Sequence, residues 1–481
     1  MSKGILYYLL SRVVFLLGAY AIHIYIARLL GPEQYGVFGV CLSIITICYV
    51  FLGNGVKQIV AKSTAKYQES AKYFLKSGAA IQLMISTVLG LLLVIFSQNI
   101  AQIFREPELP KLLLISVAII ISHSLFFVYT GVLNGMKRFG AENAVDGVHG
   151  FVRAAAAILF VYFGYEIAGA LVGLLIGSVL AVILAFLLTL NLSTQKHPSI
   201  RMKNIFKGAI PVMIIFGSLV AMMNIDLLAV KYFIKDGQFT GYYMSATAIS
   251  RIVFWIIVAY SSILLPYVSS SFHKNDLDEV KRAVSQILRY TFLMITPGVL
   301  LVSFYANDVV RIVYGGDYQA AGIALKILVW GLFGLGFLSI ISVIMIGIDQ
   351  EKKMGYYGLS GIFLAVILNV LLVPRIGLAG AASSTLVSAA FFSVLSFGFV
   401  RKKLKLRVCW PSVGRLFIGW GLMSLGAYAL IGSRLNIFYG WLILYSGYLI
   451  LLVLIKELDK NDLQIFKKLI ASLSLKRGSK R

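Results

Sequence analysis

EIAGALVGLLIGS, residues 166 to 178, lies over GLAGAASSTLVSA, residues 377 to 389, when the chain is shifted by 211 positions, and the Ala-Gly-Ala cores coincide. Each copy opens an apolar helix just after a very short connection. A second pair, YGVFGV at 35 to 40 and TGYYMS at 240 to 245, matches at a shift of 205, again just after a connection on the same side. Six helices separate the copies, an even number. The two halves therefore share one orientation and are related by an axis along the membrane normal.

Working outward, apolar runs bounded by charged, Gly-rich or Pro-containing segments give fourteen candidate spans. The seventh, eighth and ninth run over about 208 to 230, 240 to 271 and 290 to 306. With 59% hydrophobic residues, 13% charged and a mean hydropathy of +0.89, the chain is an integral membrane protein. The fold class expected is all-α, with about 14 transmembrane helices: two parallel six-helix repeats form lobes around a central cleft, plus two extra C-terminal helices. The boundaries expected are 1–200 for the first lobe, 201–403 for the second, 404–457 for the extra helices and 458–481 for a basic amphipathic tail. The first apolar run, about 5 to 30, is too long for a signal-peptide core and is expected to remain as a span.

With the N-terminus inside, 32 of the 44 Lys and Arg fall in connections and termini on one side, eight fall on the other, and Arg12, Arg153, Arg251 and Lys326 lie within spans. The bias places both termini in the cytoplasm. The net charge of +25 is then explained by cytoplasmic anchors such as RKKLKLR at 401 to 407, and nucleic acid is not implied. The tail places Ile465, Phe466, Leu469, Ile470 and Leu473 on one helical face, suited to the membrane surface. Cys41 and Cys48 sit in an apolar run and Cys409 in a basic segment, so no disulfide framework is expected.

Five stretches, in order, carry a family resemblance: ARLLGPEQYGVFGV (27 to 40), VLNGMKRFG (132 to 140), LLPYVSSSF (264 to 272), VYGGDYQAAGIAL (313 to 325) and NVLLVPRIGLAGAASSTLVS (369 to 388). Together the chain resembles the polysaccharide-exporter, or Wzx-type, flippases. Their superfamily includes the lipid II flippase and the multidrug and toxin extruders. The resemblance implies a transporter rather than an enzyme, acting by alternating access in the cell membrane. Its partners would be the bilayer and a polyprenyl-diphosphate-linked glycan moved from the inner to the outer leaflet. It leaves open contact with other membrane proteins of polysaccharide assembly.

Crossing the hydrocarbon requires a hydrated, preferably cationic path for the diphosphate and sugars. A charge at mid-membrane costs about 2.5 to 3.5 kcal/mol on insertion scales, so deep charges are read as functional by default. Asp146, His149 and Arg153, spaced by three and four, form one stripe of the fifth span. Arg12 and His23, eleven residues apart, share a face of the first, and Arg251 lies deep in the eighth. Arg12, Arg153, Arg251, His149 and His23 are the candidate substrate-binding residues, because a guanidinium can hold two phosphate oxygens at once. Asp146 and Asp226 are the ion-coupling candidates. The alternative for each is a packing role, such as an internal salt bridge or, for Asp226, an N-cap-like contact.

Lys326 suits snorkelling, and His123 a packed, hydrogen-bonded role. Tyr7, Tyr8, Tyr35, Tyr242 and Tyr243 suit interface belts, and Pro211, Pro266 and Pro297 suit kinks. The segment 97 to 111, with Pro107 and Pro110, reads as a capped turn. No Walker motif, phosphate-binding Gly-rich loop or metal-ligand cluster is present, so no cofactor or metal is expected. Two rivals remain. A multidrug extruder would need a dominant carboxylate for its cations, and a membrane polymerase or glycosyltransferase would need a sizeable external loop or domain.

Overall fold

A computed structural model describes residues 2–53, 56–192, 202–261, 264–274, 276–406, 410–431 and 437–458, with side chains from residue 17 onward and not for 51, 202–209, 260, 265–267 or 273. Cys409, the tail helix face and the side chains of Tyr7, Tyr8 and Arg12 lie outside the described residues.

The first half comprises α1 (Ser2–Leu52), α2 (Val56–Lys66), α3 (Ala71–Ile95), α4 (Ser97–Phe104), α5 (Leu109–Gly135), α6 (Phe139–Tyr162) and α7 (Glu166–Leu188). The second comprises α8 (Met202–Met222), α9 (Ile225–Phe233), α10 (Gly237–Ser261), α11 (Leu264–His273), α12 (Leu277–Phe304), α13 (Ala306–Tyr314), α14 (Ala321–Gly347) and α15 (Glu351–Leu404). Then come α16 (Trp410–Leu430) and α17 (Ile437–Leu454). Among the described residues, twelve helices are long and apolar enough to cross a membrane. Two of them, α1 and α15, each contain two arms joined across a non-helical turn. The chain is thus a multi-pass membrane protein with two six-span lobes and a C-terminal pair.

The turns have local causes. In α1 the break is Gly31, at φ 74° and ψ 173°, immediately before Pro32. Proline disfavours the α region in the residue before it, and only glycine adopts positive φ freely. In α15 the break is at Ile376 and Gly377, the latter at φ 57°. Across it the arms are tied by Asn369, whose Nδ2 donates to Ser384 Oγ at 2.9 Å. The two repeat glycines do equivalent work. A Cβ on Gly169 would lie 2.6 Å from Tyr165 Cβ and 3.0 Å from Phe160 Cβ, and one on Gly380 would lie 2.4 Å from the Leu372 oxygen. Each thus lets a helix fold back closely on the one before it.

In the second lobe α14 packs against α10 and α15 and is apolar all round, as a helix enclosed by others must be. α16 and α17 pack on each other and on α12 through Leu293, Leu301, Leu416, Met423 and Leu452. Pro297, inside α12, has no N–H to offer the carbonyl four residues earlier, that of Leu293. The Tyr448 hydroxyl of α17 donates to that oxygen at 3.1 Å. An orphaned acceptor in α12 therefore becomes an anchor for the C-terminal pair.

Two expectations change. The segment 97 to 111 holds the helix α4, not simply a turn. The ninth span begins at Leu277, with the Asp276 carboxylate accepting the Glu279 amide at 2.9 Å. Its charged first turns hid that extension from a hydropathy reading.

Candidate functional site

The stripe on α6 is positioned by glycines. A Cβ on Gly18 would lie 2.7 Å from the Gly150 oxygen, so the first arm of α1 meets α6 beside His149 and Arg153. On the other side, Cβ atoms on Gly173 and Gly177 would lie 2.2 Å from Ala157 N and 2.5 Å from Arg153 Cβ. Asp146 and His149 are buried and Arg153 is half-buried. Arg153 interacts electrostatically with Asp146, Tyr49, His123 and His149.

His123 and Ser178 join this group, although the sequence singled out neither as a site. His123 Nδ1 and His149 Nε2 each lie 3.4 Å from Ser178 Oγ. The Tyr49 ring stacks on His123 at 4.4 Å and 17°. Ser178 is the last residue of the first repeat copy, so the only sequence signal for it was the repeat itself.

In the second lobe the chain leaves the helix after Met222 and restarts as α9, with Asn224 at the N-cap. Asn224 Nδ2 donates to the Val220 oxygen at 2.7 Å, holding the amide so that its oxygen faces Arg251. Arg251 on α10 donates to that oxygen and to the Met223 carbonyl, both at 2.9 Å. Asp226, in the first turn of α9, accepts from Tyr243 Oη at 2.7 Å, Thr385 Oγ1 at 2.8 Å and the Leu227 amide at 2.8 Å. It therefore joins α9, α10 and the second arm of α15, and it acts electrostatically on Arg251.

The two halves of the site converge on the first arm of α1. His23 interacts electrostatically with both Arg153 and Arg251, one from each lobe. Its Nδ1 is 2.9 Å from the Tyr35 hydroxyl, across the Gly31 turn. Tyr20 and Tyr35 lie in the field of Arg251 as well. Asp146 stays with Arg153 and Asp226 with Arg251, so each guanidinium has a carboxylate in its own lobe.

At the end of the molecule that carries few basic residues, the lobes are latched together. A Cβ on Gly36 would lie 2.7 Å from the Gly241 nitrogen, and one on Gly241 would lie 1.8 Å from the Pro32 oxygen. These glycines are repeat equivalents, so the matched stretches cross where they meet. Lys231 of α9 pairs with Glu106 beyond α4, and Tyr318 Oη donates to the Ala27 oxygen at 2.7 Å. Arg28 donates to the Ile312 and Val313 carbonyls at 2.8 and 3.0 Å, filling acceptors that the end of α13 leaves open. Tyr35, Tyr314 and Tyr318 pack with ring centroids 5.4 to 6.2 Å apart. Tyr35 and Tyr243 are thus fully buried, a correction to the belt role read from their position near helix ends. Lys326 is exposed, as a snorkelling side chain would be.

The fold is that of a two-lobed, helical, multi-pass membrane protein. Residues 25–323 match the family model described as "Polysaccharide biosynthesis protein", and the chain belongs to that family. It is 24% identical over 430 residues to the "Probable low-salt glycan biosynthesis flippase Agl15" of Haloferax volcanii, covering 87% of this chain and 89% of the relative. It is 22% identical over 382 residues to the "Putative O-antigen transporter" of Shigella flexneri, covering 75% and 88%. Among solved structures, the lipid II flippase MurJ in an inward closed conformation superposes with a TM-score of 0.73 at 17% identity, over 98% of this chain and 100% of that one.

Proposed function

We propose that this protein is a flippase that carries a polyprenyl-diphosphate-linked oligosaccharide from the cytoplasmic to the outer leaflet by alternating access of its two lobes. The observation that carries this reading is that α6, which bears Arg153, and α10, which bears Arg251, pack on α1 from opposite lobes. An anionic head held between two guanidinia on separate lobes draws the lobes together, and its departure releases them. The names borne by the Haloferax and Shigella relatives favour the same class of cargo. Arg12, on the same face as His23, is proposed as a third contact.

In this reading the basic end faces the cytoplasm, both termini are cytoplasmic and the latched end faces outward. Residues 1–200 and 201–403 form the moving lobes, 404–457 the appended pair, and 458–481 a surface-lying tail. Asp146 and Asp226 each offset an arginine, and Asp226 is the stronger ion-coupling candidate because it joins three helices of the second lobe. Arginine's fork separates this reading from simple charge. Arg153→Lys and Arg251→Lys keep the charge and lose bidentate geometry, so glycolipid transport is expected to fall by about tenfold or more in either. Unchanged transport in both variants would refute phosphate binding at these positions.

A further inference from the structure

A second feature of the interlobe seam is a cavity of about 270 Å³, lined by Ile47 and Val50 of α1, by α8 from Ile210 to Ala221, and by Leu359 and Ile362 of α15. Its wall is apolar throughout. The one hydroxyl on it, Ser218 Oγ, is already bonded to the Ile214 oxygen at 2.7 Å. Along α8 the lining stops at Ala221, two residues before Met223, whose carbonyl receives Arg251. The Arg251 guanidinium, carried by α10, therefore caps the turn just past the end of α8, and the apolar trough runs back along α8 from there. From 210 to 221 the trough is about 17 Å long by the helical rise. The seam is closely fitted beside it, since a Cβ on Gly217 would lie 2.5 Å from Val50 Cγ1.

We infer that this trough receives the proximal part of the substrate's polyprenyl chain, running along α8 from a diphosphate held at Arg251. The inference rests on the flippase reading and deepens it, because it fixes where the lipid half of the cargo lies. An amphiphile with an anionic head and a long, methyl-branched apolar tail matches the order of the two features. A polar or water-soluble ligand would leave its groups unpaired against this wall. Hydrocarbon gains no hydrophobic energy on leaving the bilayer for the trough, so the stabilisation is van der Waals packing alone. The trough therefore orients the cargo more than it holds it. With the tail on α8 and the α1 second arm opposite, the head is carried to the point where both lobes reach it.

The test is photo-crosslinking of the full-length protein in proteoliposomes, with a polyprenyl diphosphate bearing a diazirine on a head-proximal isoprene. A phosphatidylglycerol with a diazirine on its acyl chain serves as the second probe. The expected result is polyprenyl labelling of the peptides containing Ile214 and Leu359, reduced about tenfold in Arg251→Gln by loss of a charged contact, and retained in part in Arg251→Lys. Ala221→Phe, which fills the trough and leaves Arg251 in place, is expected to abolish labelling of these peptides as well.

Polyprenyl labelling that Arg251→Gln leaves unchanged, or that phosphatidylglycerol matches in site and yield, would make the trough an ordinary lipid contact and overturn the inference. Glycolipid transport measured in the same vesicles separates the two claims. Transport without trough labelling overturns the inference alone, and labelling without transport in wild type overturns the flippase reading.

Discussion

Gly241→Ala probes the latch that closes the end carrying few basic residues. The added Cβ would sit 1.8 Å from the Pro32 carbonyl oxygen, where 3.0 Å is about the closest such contacts come, so the helices must part by about 1.2 Å. The obstacle is backbone, which a rotamer change cannot move. Overpacking of this kind costs about 1 to 3 kcal/mol. The cost falls on the state in which α10 and the second arm of α1 cross, because the three nearest obstacles to the methyl are all backbone atoms of Pro32 and alanine is otherwise the better helix former. A penalty of about 3 kcal/mol on one of two states shifts their ratio by about 150-fold.

The assay is the labelling rate of a cysteine at Tyr20, with Cys41, Cys48 and Cys409 replaced by alanine and a water-soluble maleimide applied from the latched side. Tyr20 is half-buried and lies near Arg251, behind the latch. Labelling is expected to rise by one to two orders of magnitude with Gly241→Ala, and Gly36→Ala should act in the same direction. An unchanged rate in a folded, stable variant would refute the assignment of this crossing as the closing contact.

Further outcomes follow from the same contacts. Glu106→Gln leaves the Lys231 ammonium buried without its counter-charge and should open the same end. In the Lys231→Met background the change should have little effect, a cycle read by the same labelling rate. Tyr448→Phe strips the Leu293 carbonyl of its donor and should cost about 1 to 3 kcal/mol in thermal stability; Pro297→Ala, which restores an N–H to that carbonyl, should remove most of the loss. Thr385→Val removes one of three donors to Asp226 and should destabilise the second lobe by about 1 to 2 kcal/mol without the collapse expected of Tyr243→Leu, both followed by melting in detergent.

Much of this architecture was legible in the sequence because hydrocarbon permits little else. An apolar run long enough to cross must be a helix, and lysine and arginine report its direction. The repeat at 166 and 377 marked the two close hairpins, and the one at 35 and 240 marked the crossing glycines. What periodicity missed were short amphipathic helices at the span ends, α4 and α13, whose polar residues read as loop. Charge counting also concealed the latch. Arg28, Lys231 and Glu106 counted as loop charges, yet each bonds across the lobes at separations of 100 residues or more. The deep arginines were evident from their cost in lipid. Asn224, which holds Arg251, Ser178, which meets His123 and His149, and Thr385, which donates to Asp226, were not, since a neutral hydroxyl or amide inside a span is inexpensive and common.

The central claim is tested most directly by translocation in proteoliposomes. A labelled polyprenyl-diphosphate oligosaccharide and a lipophilic organic cation are compared for wild type, Arg153→Ala and Arg251→Ala. Glycolipid movement by wild type, lost in both folded variants, with no cation movement, is the result predicted. Cation movement that survives both substitutions, with no glycolipid movement, would contradict the account and make the protein an extruder in which these arginines only pack.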